Sequence, residues 1–468
     1  MLWLALHFPL LPLEALTRGE DGARPLALEV ARRLRLVNAT AREAGVRADM
    51  SINAALALAP DLRVLARREA DEERALHGLA TWALQFSPQI SLVEGEGMLL
   101  EIGASLRLFG GLDALLDTIR AGVPTLGFSV RDAVAPTPAA AWMGAWLGVP
   151  LRIDSSDRLT AALAGLDVSA LRLSAKQESR LRGMGLHRLG QLLRLPRAGL
   201  ARRIGTDALD HLDRALGRKA DPRPGWQPPA VFESTLDLPV EVEGGAPLRF
   251  ALHRLVLELA GFLRGADAGA GVLDLHFHHR ELAATPLTLR LLTPGRDVEH
   301  LEGLITTRLE RTRLPAPVLA VTLRCDDVRS FETRAGDLFG LRRGPDELMP
   351  ALIERLRARL GDGQVHGLRA VADHRPERAW HGVDGKQGGE GRSRRPLWLL
   401  VEARPVDTRR LRRLAGPERI ETGWWDGDPI ARDYFVAQTR DGRRLWIYQA
   451  RTGSGPDAGN WYLHGLFA

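Results

Sequence analysis

The hydrophobic positions near the start of the chain fall into short blocks. LWLALHF (residues 2–8) is apolar without period-two alternation, which predicts a central strand covered on both faces, and the Pro12 to Leu16 stretch that follows starts a helix. A second strand over Pro25 to Val30 leads through LRLVNATAREAGVRADM into SINAALALAP, a short helix ended by Pro60. DEERALHGLATWALQF has the spacing of an amphipathic helix stopped at Ser87-Pro88, and QISLVEGEGMLLEIG predicts two strands around a glycine-rich turn. Alternating strands and helices imply an α/β or α+β layer.

From Leu171 the pattern changes to short helices. Leu181 to Leu186 (LRGMGL) joins two of them through a tight glycine turn, the pattern of a helix-hairpin-helix, which aims backbone N–H groups and a helix N-terminus at a phosphate. Gly183 and Gly185 form the turn, and Arg188, Arg194, Arg202 and Arg203 are the basic residues expected to contact nucleic acid; Arg197, Arg214, Arg218 and Lys219 crowd behind. An ordinary helical hairpin with a solvated basic face fits the same residues. ADPRPGWQPPA (220–230) reads as a linker.

Beyond it, a helix (Leu248 to Leu263), strands GVLDLHFHH and PLTLRLL, a helix (Val298 to Glu310) and the strand VLAVTLRC predict a compact β/α body. His276 and His278 share a strand face, so a metal pair is conceivable, but no third ligand lies nearby in sequence. ELMPALIERLRARLG (347–361) is amphipathic, and VDGKQGGEGRSRR (383–395) reads as a flexible tether. All three tyrosines and five of the eleven tryptophans follow, in segments separated by Asp-Gly and Gly-rich turns. This predicts a small β module whose aromatics mostly build its core, with one or two left as partner anchors; Trp424, Trp425, Trp446 and Trp461 are the candidates.

Composition narrows the class. A chain of 468 residues with 45% hydrophobic content has room for roughly three domains. The opening run is broken by Pro9 and Pro12, too short for a membrane span and without the flanks of a secretory signal. A single cysteine, Cys325, excludes an internal disulfide framework and suits a reducing cytoplasm. Net charge is +6, mostly from arginine, a weak pointer toward nucleic acid.

Three short motifs in order, AREAGVRADM (41–50), the Ser87-Pro88 to Leu100-Glu101 frame and RLFGG (107–111), together with the helical hairpin, resemble the Y-family (translesion) DNA polymerases over approximately residues 2–330. The resemblance implies an α+β multidomain chain: palm with inserted fingers (1–165), helix-hairpin-helix thumb (166–222), little finger (223–330), a segment carrying a clamp motif, a helix and a tether (331–395), and a C-terminal aromatic β module (396–468). Polymerase chemistry in this family needs two divalent metals held by palm carboxylates. Aligned on Leu13-Glu14, the first metal ligand falls on Ala5 and a second acid on His7. In the later hairpin one acid is kept as Glu96, and its neighbour is Gly97. The triphosphate tyrosine falls on Ala39, with the following arginine kept as Arg42, and two basic residues fall on Pro138 and Trp142. Glu94, Glu96 and Glu101 could rebuild a site only from one strand, so no metal or cofactor is expected.

The ending GPERIETGWWDGDPIARDYFVAQT, GRRLWIYQ and NWYLHGLFA resembles the polymerase-like members of this family carried by bacterial mutagenesis cassettes, which lack the acidic triad and are noncatalytic. That resemblance implies a cytoplasmic, nucleoid-associated hub that binds primer-template DNA, the replication sliding clamp, a RecA-like accessory protein (ImuA) and an error-prone DnaE-type polymerase. Asp337, Leu338 and Phe339 resemble a clamp-binding peptide, although Ala335 stands where its glutamine would be; Leu397-Trp398 is a second candidate. Two rival functions stay open: an active polymerase with an atypical site on Glu94 and Glu96, and a DNA-binding repair factor without polymerase partners.

Overall fold

The computed structural model describes residues 1–18, 24–331, 345–383, 395–396, 398–451 and 460–467, with backbone alone at 239, 345–348 and 383. It divides into two compact units, Met1–Arg359 and Leu360–Ala468.

The first unit opens with β1 (Trp3–His7), α1 (Leu11–Thr17), β2 (Leu26–Val30), β3 (Arg33–Val37), α2 (Ala39–Glu43), α3 (Ile52–Leu58), β4 (Arg63–Ala66), α4 (Glu69–Ala83), β5 (Ile90–Val93), β6 (Gly97–Glu101), α5 (Leu112–Thr125), β7 (Arg131–Ala135) and α6 (Pro138–Leu147). A four-stranded sheet runs β5-β6-β1-β7, with β1 antiparallel to both neighbours and buried throughout. Trp3 and Ala5 face an alanine-rich layer with Leu99, Ala133 and α6. Leu4 and Leu6 face the opposite core of α4 and α5. Two covered faces are why the strand shows no alternation. The excursion β3-β2-β4 closes over a small core of its own, and its two helices start at Asn38 and Ser51, whose side chains cap the first turn.

Five short helices, α7 (Leu159–Ala164), α8 (Ala175–Gly183), α9 (Leu189–Leu193), α10 (Arg197–Ile204) and α11 (Thr206–Ala215), extend the core on the Ala5 face through Leu163, Leu181, Leu189, Leu200 and Leu212. The 220–230 stretch has no regular structure, yet it is strapped down. Trp226 donates its backbone N–H to the Ile90 carbonyl (2.7 Å) and its indole N–H to His77 Nδ1 (3.0 Å).

A second α/β body follows: β8 (Phe232–Val242), α12 (Leu248–Gly265), β9 (Ala268–His278), β10 (Thr285–Gly295), α13 (Val298–Leu309), β11 (Val318–Cys325), β12 (Val328–Ser330) and α14 (Pro345–Leu360). Its sheet runs β10-β9-β11-β8, with β12 beside β9, and α12 and α13 cover one face. Strand β8 is absent from the sequence reading because its acidic residues and Pro239 look like linker. His278 Nε2 meets Thr322 Oγ1 at 2.8 Å, so the expected solvated strand, rather than a metal pair, describes these histidines. Helices α12 and α4 cross closely: a Cβ on Gly261 would lie 2.6 Å from the Trp82 backbone, and one on Gly265 would lie 2.5 Å from Leu84 Cβ.

The second unit contains the pair β13 (Gly367–Ala370) and β14 (Trp380–Val383), then an antiparallel sheet of β15 (Trp398–Pro405), β16 (Arg412–Thr422), β17 (Ile430–Gln438), β18 (Arg444–Ala450) and β19 (Trp461–Leu466) in the order β15-β19-β18-β17-β16. Its centre is Tyr434, stacked on Trp446 at 4.0 Å between ring centroids and hydrogen-bonded through its hydroxyl to His464 Nδ1 (2.8 Å). Among the described residues, no helix is long and apolar enough to cross a membrane.

Candidate functional site

The register of β1 sets Ala5 opposite Leu99 and Ala133, and His7 opposite Gly97 and Arg131. Ala5 is fully buried. The His7 ring meets Trp142 edge-on at 5.6 Å, so two positions aligned with charged polymerase residues pack on each other. Burial, reinforced by the charge of Arg131, pushes the imidazole pKa down to about 4, and its buried Nδ1 has no hydrogen-bond partner. At Gly97 a Cβ would sit 2.1 Å from the Leu6 carbonyl oxygen and 3.1 Å from His7 Cα, which leaves no space for a carboxylate side chain.

Glu96 forms a two-oxygen ion pair with Arg172 (2.6 and 2.5 Å). Arg172 also lies over the Trp146 ring at 5.6 Å. Nothing local in the sequence signals this partner, which is 76 residues away. Glu94 does not join Glu96, because Glu94-Gly95-Glu96 form the turn between β5 and β6, with Gly95 at φ +67°. Glu94 instead lines a cavity of about 670 Å³ with Glu69, Glu72 and Trp226. Glu101 accepts the Leu2 and Gly103 N–H groups (2.9 and 3.2 Å). The three glutamates therefore point to three different duties. Among the described residues no group of three or more His, Cys, Asp or Glu is placed to hold a metal ion.

The helical hairpin forms between α8 and α9, with Gly185 at φ +77° and open space beside Gly183 and Gly185. Its amides, however, are engaged. Gly185 and Leu186 donate to Arg182 and Leu181, and His187 and Arg188 donate to Gln191 Oε1 (2.8 and 2.9 Å). The expectation of free N–H groups aimed at phosphate is thus corrected: Gln191 reaches back and satisfies them, and the three-residue Arg188–Gln191 spacing was the overlooked signal. Among the arginines, Arg188 donates to the Gly165 carbonyl and Arg203 to the Gly199 carbonyl (2.9 Å), while Arg182 and Arg197 are paired with Asp167 and Asp213. Arg194 and Arg202 are exposed and make no contact with the other described residues, so they are the pair most available to an anion.

In the second unit, Trp424 and Trp425 are 78% and 61% exposed, with their rings edge-on at 5.4 Å, on the loop between β16 and β17. Buried Arg375 fixes the base of that loop through Asp373, Asp426 and the Asp428 carbonyl. Trp446 is core, not an anchor, because it lies under Tyr434. Trp461 is half-buried, with its ring 5.2 Å from Phe435. Asp337, Leu338, Phe339 and Leu397 lie outside the described residues; Trp398 is exposed on β15.

Comparison with known proteins fits this layout. Residues 22–145 match the impB/mucB/samB family. The chain is 31% identical over 452 residues to Protein ImuB of Caulobacter vibrioides, covering 88% of this chain and 97% of that protein. The chain belongs to the ImuB family. DNA polymerase IV of Pseudomonas fluorescens is 27% identical over 305 residues, 62% of this chain and 84% of that one. DinB from Sulfolobus solfataricus, a solved structure, is 16% identical with a TM-score of 0.39, covering 71% of this chain and 100% of its own. ImuB-family membership with a Y-family polymerase-like domain supports a role in DNA damage and mutagenesis. The positions discussed above are this ImuB-family chain's own: Ala5, His7, Gly97 and Trp142.

Proposed function

We propose that the chain is a noncatalytic adaptor of DNA-damage-induced mutagenesis and translesion synthesis. Its polymerase-like body grips primer-template DNA without sequence preference, and its C-terminal module and clamp motif join the sliding clamp, the RecA-like protein ImuA and an error-prone DnaE-type polymerase. The observation that carries this reading is the filled space beside β1: Ala5 buried, His7 packed on Trp142, no room at Gly97, and Glu96 committed to Arg172. Two-metal catalysis needs carboxylates converging from adjacent strands, and packing of this kind works against it. Exposed Arg194 and Arg202 support salt-sensitive DNA binding, and Trp424 with Trp425 supports partner docking. Primer extension with Mg²⁺ or Mn²⁺ tests the reading. No template-dependent incorporation is expected, and incorporation that disappears in Glu96→Gln would overturn it. Co-purification of the full chain with the clamp, ImuA and the DnaE-type polymerase tests the adaptor role, and failure with all of them would leave a plain DNA-binding factor.

A further inference from the structure

We infer that the pocket between α1, α2, the loop from α5 to β7, and α12 is a binding site for a phosphate-bearing small ligand. The inference is independent of the adaptor reading. The pocket has a volume of about 530 Å³ and lies on the Phe8 face of the first sheet, where Phe128 packs on Phe8, away from Ala5 and Trp142 on the other face. Its inner wall is Arg254, only 4% exposed. The guanidinium is held flat, 4.0 Å over the Phe250 ring on one side and against Gly127 on the other. Gly127 has φ +89°, and any Cβ there would come within 2.7 Å of the guanidinium carbon, so the glycine makes the slot.

Arg254 has no counter-charge. Nearby Arg18 takes the carboxylate of Glu258, which also accepts the Ser234 hydroxyl (2.6 Å). Two buried guanidiniums thus share one buried carboxylate. Arg254 Nε and Nη1 are buried and make no hydrogen bond. Burial and the charge of Arg18 pull its pKa down to about 10, which still leaves it cationic at neutral pH. A buried, unpaired cation is costly and calls for an anion. Glu14 also lines the pocket, but it is engaged by the Ser129 N–H and hydroxyl (2.9 and 2.5 Å), and burial raises its pKa. Thr17 and Thr40 add hydroxyl-bearing side chains to the wall. A planar guanidinium with unused N–H groups beside hydroxyls suits a phosphate.

Calorimetric titration of the full chain with inorganic pyrophosphate and, separately, ATP, both without divalent metal, tests the site. Binding is expected to weaken about tenfold or more in Arg254→Gln. It should also weaken in Thr40→Asp, which adds negative charge to the wall while sparing the buried cluster and so decides the matter if Arg254→Gln fails to fold. The surface control Arg158→Gln should leave it unchanged. Pyrophosphate bound as tightly as ATP would name free phosphate as the source, and ATP bound more tightly would name a nucleotide; either supports the site. No binding by the parent chain, or binding unchanged in both variants, overturns it.

Discussion

Replacing His7 by Phe turns the packing beside β1 into a measurable pH effect. The imidazole is held down to about 4 from an ordinary value of 6.5, chiefly by burial. Between those values the unfolded chain binds a proton at this position that the folded chain refuses. Stability from neutral His7 is therefore fully present above pH 6.5 and is lost as pH falls toward 4. The shift corresponds to about 3 kcal/mol across the window. His7→Phe keeps an aromatic edge against Trp142 and removes the unpartnered Nδ1, so at pH 7 it should be neutral or slightly stabilising. Urea unfolding followed by tryptophan fluorescence at pH 7, 6, 5 and 4 gives the difference between variant and parent, in which the other titrating groups cancel. That difference should grow in the variant's favour by about 3 kcal/mol toward pH 4. A difference that stays flat across the series would mean that His7 protonates freely in the folded chain, and the sealed packing argued above would be wrong.

Three further outcomes follow from the same physical reasoning. Ala5→Asp places a carboxylate at a fully buried position and should cost on the order of 3–5 kcal/mol at neutral pH in denaturation, without yielding primer extension. Because burial raises a carboxyl pKa, that cost should shrink as pH falls. Arg194→Gln and Arg202→Gln should each lower the slope of log DNA affinity against log salt by about 0.7–0.9, with unfolding midpoints unchanged; an unchanged slope removes these residues from the interface. Trp446→Ala should destabilise the C-terminal unit by about 3–5 kcal/mol. Trp424→Ala with Trp425→Ala should leave stability within about 0.5 kcal/mol yet reduce capture of ImuA or the DnaE-type polymerase, and full capture would leave the exposed pair without that role.

Much of the frame was legible because burial leaves a pattern. The unbroken apolar run of β1 announced two covered faces, and glycines at 95 and 185 marked turns that the fold uses. Strand β8 was not legible, since Pro239 and alternating acids imitate a linker, and only pairing with β11 makes it a strand. The candidate site divided the same way. Missing carboxylates at Ala5 and Gly97 could be read directly, but not that Arg172 had taken Glu96, because a salt bridge between distant segments leaves no local trace. Aromatic content alone likewise could not sort exposed Trp424 from buried Trp446, a matter of which strand face each residue occupies.

The close crossing of α4 and α12 has a mechanical meaning. With Gly261 and Gly265 pressed to Trp82 and Leu84, the helices have no side-chain cushion along which to slide, and the Trp226 strap removes slack from the connecting chain. The two bodies of the first unit behave as the arms of a set caliper. The span between the arginine-bearing helices and the outward face of β9 is fixed before any DNA arrives, so the width of duplex the protein accepts is measured against a rigid gauge.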